Sequence, residues 1–502
     1  MNRAFLLESL LRYSYLPIQK KDRSELPPFL STVDFSPQVA AGLRNVPQRP
    51  RREGWDSVEF QATRFTGVGR ILNIPHPLPY AQLCYCLHDN WANLDYCTRS
   101  NQSMVRPRQH PDGRTIIMDY DKAHPRSLRL SFGKRFQVET DISNFFPSIY
   151  SHAVTWAVVG FATAKANRQG NWYNQLDSCI CATRRNETQG TAIGPATSNI
   201  ISELILSRID NEMEQAGFEF IRYIDDYTAY CTTEEQAQEF IQMLSQRLKD
   251  YKLLLNIKKT VISSLPYTDD AGWTSELTLL LPRGRVNKYA AEKYLDRAQA
   301  MAVEVPDGSV LKYAVKTLLG SGIQPGVEYE VLPQILNLAF YLPILLPSLN
   351  GPFARVSAAN FVFGPQIHEI ALENARRRRS DGLCWALFYL IRHRIAIQDN
   401  LARAVVDSRD CLAILLLSLS GDPAHLARVI NFANGLNATD TYELDQYWLL
   451  LYELFFDNLI VSPYTNERAF EHLKTSGVRF LLPAFRTGQT TATQTQAAAT
   501  TP

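Results

Sequence analysis

The spacing of apolar and polar positions changes along the chain, and each change predicts a different kind of element. "RFQVETDI" alternates apolar Phe136 and Val138 with polar neighbours and ends at Asp141, a pattern that predicts a strand. The aromatic and β-branched stretch "FEFIRYIDDYTAYC" (218–231) predicts a pair of strands, and "LLLNIKKTVI" (253–262) predicts another. These strands belong to one region, residues 131–265, in which strand and helix patterns alternate.

Two longer segments of the same region have helical spacing. "ATSNIISELILSRIDNEMEQAG" has apolar residues on one helical face and closes at Gly217, as a helix with a C-terminal glycine does. "TTEEQAQEFIQMLSQRLKDY" begins with Thr232 and Glu235, which form a capping-box pattern. The order of strands and helices predicts an α+β domain whose sheet carries helices on one face.

The rest of the chain predicts four further parts. Residues 1–130 are mixed and form an N-terminal region, residues 266–285 form a linker, and residues 486–502 form a low-complexity, disordered tail. Residues 286–485 are helical almost throughout, which predicts stacked helix pairs of a HEAT-like array or a helical bundle.

Composition narrows the class of protein without fixing it. The chain has 502 residues, 45% of them apolar, and a net charge of +2, which predicts a globular protein of two or three domains. The N-terminal apolar stretch is interrupted by Glu8 and is read as a helix rather than a signal peptide, and no unbroken apolar run reaches about 18 residues. The eight scattered cysteines predict reduced, mostly buried thiols in a cytoplasmic protein, with zinc as a weak alternative.

Two adjacent carboxylates, Asp225 and Asp226, interrupt the strand pair. Neighbouring side chains of a strand point to opposite faces, so the two can cooperate only if the chain turns there. Asp141 ends another strand of the same predicted sheet, and if the strands are neighbours the three carboxylates converge. Clustered carboxylates suit divalent cations, and two such ions are the apparatus of nucleotidyl transfer.

Four motifs, in order, resemble those of reverse transcriptases. "ETDISNFFPSIY" (139–150) resembles the first palm motif and "TQGTAIGPATSNIISEL" (188–204) the second. "YIDD" (223–226) looks like the YxDD motif, and "LLLNIKKT" (253–260) resembles the fourth. The resemblance implies fingers within residues 1–130 and a palm at 131–265.

The stretch after the first motif and the helical C-terminal half are similar to bacterial abortive-infection (Abi) polymerases. This resemblance implies a cytoplasmic phage-defence protein that makes DNA without a template, starts on a protein primer and assembles as a homo-oligomer. It also implies two Mg²⁺ ions, with Mn²⁺ as a substitute, dNTPs as substrates, and a single-stranded DNA product that can stay attached to the protein.

The resemblance assigns roles residue by residue. Asp141 and Asp225 are expected to ligate the metal ions directly, with Asp226 in support. Phe146 occupies the position of an aromatic gate that excludes a 2′-OH, and Phe145 competes for that role. The remaining expected nucleotide contacts are Gln189 and Gly190, aided by Gly194, and Lys259, with Lys258 as the alternative.

Other candidates are less sharply defined. The segment from Arg99 to Arg135 contains nine Lys and Arg against three Asp, and its basic residues could hold triphosphate or product. The members singled out are Arg106, Arg108, Lys134 and Arg135. "RRRR" (376–379) is read as a solvated helix face, with a DNA track as the alternative. Tyr13 and Tyr15 are candidate primers, but the sequence does not identify the priming residue.

Two other functions remain open from the sequence. One is a templated reverse transcriptase of the retron or group II intron kind, against which the helical C-terminal half argues. The other is a catalytically idle palm that serves as a scaffold, against which the intact set of three carboxylates argues.

Overall fold

The structure is a computed structural model, and it describes most of the chain in segments. The described residues are 1–17, 25–47, 49–50, 53–63, 69–118, 124–167, 169–266, 272–281, 284–305, 309–324, 326–464 and 468–486. The predicted tail lies outside them from residue 487 onward.

The first 131 residues combine helices with two short hairpins. Their elements are α1 (Arg3–Arg12), α2 (Pro37–Ala41), β1 (Ser57–Ala62), β2 (Arg70–Pro75), α3 (Pro77–Asp89), α4 (Trp91–Leu94), a 3₁₀ turn (Asp95–Thr98), β3 (Pro107–Gln109), β4 (Ile116–Met118) and α5 (His124–Ser131). The strands pair antiparallel as β1 with β2 and β3 with β4.

The central region contains the main sheet. Its elements are β5 (Phe136–Asp141), α6 (Phe145–Ser148), α7 (Ser151–Val159), α8 (Phe161–Ala166), α9 (Trp172–Ala182), α10 (Ala196–Gln215), β6 (Phe220–Tyr223), β7 (Asp226–Cys231), α11 (Glu234–Asp250), a 3₁₀ turn (Ile257–Lys259) and β8 (Val261–Ser264). The four strands lie in the order β6-β7-β5-β8, and all neighbours are antiparallel. Helix α11 packs on β5 and β7, and α10 packs on α11.

Both long helices of this region match the sequence prediction, although the cap of α11 is shifted by one residue. Thr233, rather than Thr232, is the N-cap, and its hydroxyl accepts a hydrogen bond from the amide of Gln236. Gly217 follows α10 with a φ of +87°, a left-handed conformation that glycine adopts without strain.

The segment 253–262 differs from the single strand that was predicted. Only Val261–Ser264 forms strand β8, because the chain first turns through the 3₁₀ turn at Ile257–Lys259. The amide of Asn256 donates to the carbonyl of Asp141 (2.7 Å), which bends the chain around the end of β5.

The remaining helices and strands of the described chain are all helices. They are α12 (Trp273–Leu280), α13 (Lys288–Glu304), α14 (Ser309–Gly320), α15 (Val327–Tyr341), a 3₁₀ turn (Pro343–Leu349), α16 (Asn350–Ala354), a 3₁₀ turn (Ala358–Asn360), α17 (Gly364–Arg376), α18 (Ser380–Arg392), α19 (Asp399–Ser408), α20 (Cys411–Ser418), α21 (Pro423–Asn434), α22 (Thr441–Gln446), α23 (Trp448–Phe456), α24 (Ala469–Thr475) and a 3₁₀ turn (Pro483–Phe485). Helices close in sequence pack together, as in α13 with α14 and α17 with α18.

The predicted linker 266–285 contains a helix, which corrects that prediction. Helix α12 packs on α13 and α14, and its Leu277 is fully buried. Burial of this side chain against helices that follow in the chain stabilises a segment too short to be stable alone.

The C-terminal helices contact the N-terminal region directly. The Arg49 guanidinium forms a buried ion pair with Asp445, with nitrogen–oxygen distances of 2.6 and 2.9 Å. The Thr63 hydroxyl and amide both donate to the buried Asp381 carboxylate (2.8 and 2.7 Å). The two ends of the chain are therefore joined by buried polar contacts as well as by apolar packing.

Two further features concern the apolar character of the helices and the state of the thiols. Among the described helices, none combines the length and apolar character needed to cross a bilayer. All eight cysteines are buried and free, as the sequence predicted for its thiols.

Candidate active site

The two adjacent aspartates lie at a tight hairpin turn. Strand β6 ends at Tyr223 and β7 begins at Asp226, which leaves Ile224 and Asp225 as the two central residues of the turn. Ile224 has a φ of +55°, a left-handed conformation that costs a β-branched residue about 1–3 kcal/mol. The turn that the sequence required is therefore present, and it holds a strained backbone.

Pairing of β5 with β7 brings the third carboxylate to this turn. Asp141 is the register partner of Asp226, and the amide of Ile142 donates to the Asp225 carbonyl (3.2 Å). The three aspartates thus meet at one edge of the sheet, although their stretches of sequence are more than 80 residues apart.

The negative charges of the three carboxylates repel one another. Burial, followed by repulsion from Asp226 and Asp141, raises the pKa of Asp225 from 3.8 to about 6. Burial and the charge of Asp141 also raise the pKa of Asp226. The site consequently carries an excess of negative charge in its ordinary ionised state.

Lys259 supplies the nearest positive charge. Its ammonium nitrogen lies 2.7 Å from a carboxylate oxygen of Asp141, and this hydrogen bond raises the pKa of Lys259. The Asn256 side-chain amide donates to the same oxygen (3.3 Å). Of the two lysines considered from the sequence, Lys259 contacts the carboxylates, and Lys258 is exposed on the same 3₁₀ turn.

The donor set fits divalent cations in its chemistry. Carboxylate oxygens are the ligands that Mg²⁺ prefers, and mutual repulsion is what a bound cation relieves. Within the described residues, however, no three His, Cys, Asp or Glu side chains already surround a common point. The assignment of Asp141, Asp225 and Asp226 as metal ligands therefore stays a prediction.

The two candidate gate residues lie side by side in α6. The ring centroids of Phe145 and Phe146 are 5.2 Å apart, and their exposed fractions are 3% and 9%. Phe146 is thus the more exposed of the two by a small margin. Its carbonyl accepts a hydrogen bond from the Thr191 amide (3.0 Å), which connects it to the Gln-Gly loop.

The loop containing Gln189 and Gly190 packs against the segment after Asp141. Gln189 pairs with Tyr150, and the Gly190 amide donates to the Ile149 carbonyl (2.7 Å). Gly190 has a φ of +89°, and a Cβ there would lie 3.2 Å from the Pro147 carbonyl oxygen. Glycine is needed for this local packing whether or not a nucleotide binds.

Gly194 lies against the N-terminal segment. A Cβ at this position, where φ is +135°, would lie 2.7 Å from a side-chain carbon of Pro17. Gly194 therefore permits a close approach to the N-terminal segment, and its expected approach to a nucleotide stays a prediction.

Several basic candidates are engaged in protein contacts. Lys134 forms an ion pair with Glu219, and a guanidinium nitrogen of Arg106 donates to the Ser100 carbonyl (3.0 Å). Arg377, in the "RRRR" segment, pairs with Glu373 one helical turn earlier. These contacts join the three residues to protein groups other than the three aspartates.

One of the two candidate priming tyrosines is enclosed. Tyr15 has no exposed surface, its ring stacks on Tyr80 at 4.0 Å between centroids, and its hydroxyl donates to the Pro75 carbonyl. Tyr15 is therefore a core residue in this conformation, whereas Tyr13 is half-buried.

A buried charge network beneath the turn was not predicted. Arg222 of β6 bridges Glu203 and Asp210 of α10, and all three residues are almost completely buried. Their spacing offered a signal, because carboxylates seven residues apart share a helical face and an arginine in an apolar strand needs a partner.

Comparison with known proteins identifies the class of domain that surrounds these carboxylates. Residues 101–293 match the family "Reverse transcriptase (RNA-dependent DNA polymerase)". The chain therefore contains a reverse-transcriptase domain, whose matched range includes the main sheet and all three aspartates.

Solved structures and curated proteins add little to this identification. The chain is 11% identical to apo telomerase from Candida tropicalis, with a TM-score of 0.31 over 79% of this chain and 71% of that one. Telomerase from Candida albicans, in complex with a fragment of telomeric RNA, gives 11% identity and a TM-score of 0.31 over 80% and 69%. Likenesses of this size carry no functional argument, and the search of curated proteins found no match.

Proposed function

We propose that this chain is a reverse-transcriptase-like DNA polymerase that adds deoxynucleotides by two-metal nucleotidyl transfer. The observation that carries the proposal is the meeting of three carboxylates at one sheet edge. Asp141 and Asp226 pair across β5 and β7, and Asp225 lies in the adjoining turn. The reverse-transcriptase domain found at residues 101–293 supports the same reaction.

In this proposal Asp141 and Asp225 hold the cations, and Asp226 supports them. Two bound Mg²⁺ ions, or Mn²⁺ as a substitute, would activate the attacking hydroxyl and stabilise the leaving pyrophosphate. Lys259, which contacts Asp141, would exchange that carboxylate for the triphosphate and place its charge or proton near the departing oxygen.

Selection of the sugar is assigned to the aromatic residues of α6. The Phe146 ring, which packs against Phe145, would leave no room for a ribose 2′-OH. Gln189 and Gly190 would contact the incoming nucleotide from the neighbouring loop, which is joined to Phe146 through Thr191.

The finer parts of the proposal are supported by the resemblance to Abi polymerases alone. They are protein priming, synthesis without a template, assembly as a homo-oligomer and action in phage defence in the bacterial cytoplasm. A single-stranded DNA product would then remain attached to the protein. The enclosure of Tyr15 argues against that tyrosine as the primer in the described conformation.

A second candidate is a templated reverse transcriptase of the retron or group II intron kind. The observation in its favour is the matched family, which is described as an RNA-dependent DNA polymerase. The two candidates share the carboxylate site. They differ in whether a template directs synthesis and in whether the protein itself is the primer.

One experiment separates them. Purified protein is incubated with labelled dNTPs and Mg²⁺, first alone and then with a primed RNA template. Label that migrates with the protein and is released by protease supports the protein-primed reaction. Incorporation only with the template supports the second candidate, and a folded protein that incorporates nothing under either condition contradicts both.

A further inference from the structure

The feature that carries a further inference is the buried arginine beside the aspartate turn. Arg222 has an exposed fraction of 0% and lies in β6, two residues before Ile224. Its guanidinium donates to both oxygens of Glu203 (2.8 and 3.0 Å). It also donates to both oxygens of Asp210, at distances from 2.6 to 3.1 Å. Arg222 is thereby fixed to α10 at two points, one on each of two helical turns.

Asp210, one of the two carboxylates that hold Arg222, also accepts hydrogen bonds from hydroxyl groups. Asp210 accepts hydrogen bonds from the Ser100 hydroxyl (2.8 Å) and the Tyr227 hydroxyl (3.3 Å). The backbone of Arg222 is bound on both sides as well, because its amide donates to the Gln102 carbonyl (2.9 Å) and its carbonyl accepts from the Met104 amide (2.8 Å). A guanidinium with this many fixed partners has little freedom to move.

One further hydrogen bond connects this anchored group to the turn. A terminal nitrogen of Arg222 donates to the carbonyl of Ile224 (2.7 Å). Ile224 is the residue with a φ of +55°, which its branched side chain disfavours. The bond therefore acts on the strained peptide that immediately precedes Asp225.

We infer that Arg222 is a positioning residue: it ties the strained Ile224 turn to α10 and so fixes Asp225 against the end of β5. The inference rests on the proposed function, since it assumes that the three carboxylates hold divalent cations. Arg222 itself contacts neither cation nor nucleotide in this role.

The test uses Arg222→Lys, which keeps the charge but removes the planar fork needed to reach Glu203, Asp210 and Ile224 together. The matched control is Arg479→Lys. Arg479 is a second buried arginine, with 7% of its side chain exposed, and it bridges Glu453 and Asp457 in the C-terminal helices. Both substitutions disturb buried ion pairs of an arginine with two carboxylates, but only Arg222 also contacts the turn at Ile224.

Mn²⁺ affinity is measured by electron paramagnetic resonance, together with kcat and KM for a labelled dNTP. We expect Arg222→Lys to weaken Mn²⁺ binding about 10–100-fold, the range seen when groups supporting metal ligands are removed. It should lower kcat more than it raises KM. Arg479→Lys should leave Mn²⁺ affinity as in the wild type, and equal weakening by both variants would overturn the inference.

A rescue variant tests the role of the strained turn. Glycine adopts positive φ without strain, so adding Ile224→Gly to Arg222→Lys should restore part of the Mn²⁺ affinity. A double variant no better than Arg222→Lys would contradict the proposed action through Ile224. If Arg222→Lys does not fold, Asp210→Asn weakens the same anchor more mildly, and unchanged Mn²⁺ affinity in that folded variant would overturn the inference.

The metal readout separates this inference from the proposed function. If the wild type binds Mn²⁺ but incorporates no nucleotide, the polymerase proposal fails while the expected affinity pattern still supports positioning by Arg222. A wild-type protein without measurable Mn²⁺ affinity overturns both.

Discussion

Replacing Asp225 with asparagine is expected to stabilise the metal-free protein while it abolishes nucleotide incorporation. The carboxylate of Asp225 is repelled by Asp226 and Asp141, and its pKa is raised from 3.8 to about 6. A carboxyl group whose pKa is higher in the folded state lowers the free energy of unfolding as pH rises through that interval. Asparagine has a similar shape and carries no charge, so the substitution removes this penalty.

The expected gain in the free energy of unfolding follows from the shift in the pKa of Asp225. One pKa unit corresponds to about 1.4 kcal/mol, so a rise of about two units sets an upper limit near 3 kcal/mol. Because the side chain is only partly buried, solvent screening reduces the expected gain to about 1–2 kcal/mol at neutral pH. The difference between variant and wild type should disappear below about pH 3, where the Asp225 carboxyl of the wild type is protonated in both the folded and the unfolded state.

The assay is thermal or urea unfolding of both proteins in EDTA at several pH values, repeated with Mg²⁺. Mg²⁺ should raise the unfolding midpoint of the wild type and have little effect on Asp225→Asn. Asp407→Asn, at an exposed position of α19, serves as the control. Its unfolding midpoint should equal that of the wild type both in EDTA and with Mg²⁺. A variant that is no more stable than the wild type at neutral pH without metal would refute the reasoning.

Three further predictions concern selection and stability. Phe146→Ala should raise the ratio of ribonucleotide to deoxynucleotide incorporation, measured with matched labelled substrates; an unchanged ratio removes the gate assignment. Asp445→Asn should lower the free energy of unfolding by about 3–5 kcal/mol because it leaves the buried Arg49 without its carboxylate, and a loss below about 1 kcal/mol would contradict this. Burial lowers the pKa of His393 to about 4, so stability should fall as pH drops from 6.5 toward that value. His393→Phe, which can keep the stacking on Phe361, should weaken that pH dependence in unfolding measurements, and an unchanged dependence would contradict the assignment.

The elements that the sequence predicted well are long or have a strong pattern. Helices α10 and α11 extend over several turns with regular apolar spacing, and the strands around Asp225 are rich in aromatic residues. The structure of the segment 253–262 was harder to predict, because its bend depends on the contact between Asn256 and the end of β5. Helix α12 was missed for a similar reason, since burial of Leu277 depends on helices that follow it.

Within the candidate site, too, some contacts could be predicted from the sequence and others depend on distant segments. The meeting of Asp141 with the aspartate turn could be expected, because motif order in a known family specifies which strands are neighbours. The contacts of Arg222 were harder to predict, because its partners Glu203 and Asp210 lie on another element and their helical spacing is only a weak signal of that pairing in one sequence. The dependence of Gly194 on Pro17 is a further case of contact between distant segments.

The most direct test of the carboxylate site is incorporation of labelled dNTPs by the wild type and Asp225→Asn, each with Mg²⁺ and with EDTA, in the presence and absence of a primed template. We expect incorporation by the wild type with Mg²⁺ only, and none by a fully folded Asp225→Asn protein. Comparable incorporation by both proteins, or incorporation that persists in EDTA, would contradict the claim that these three aspartates hold the catalytic metal ions.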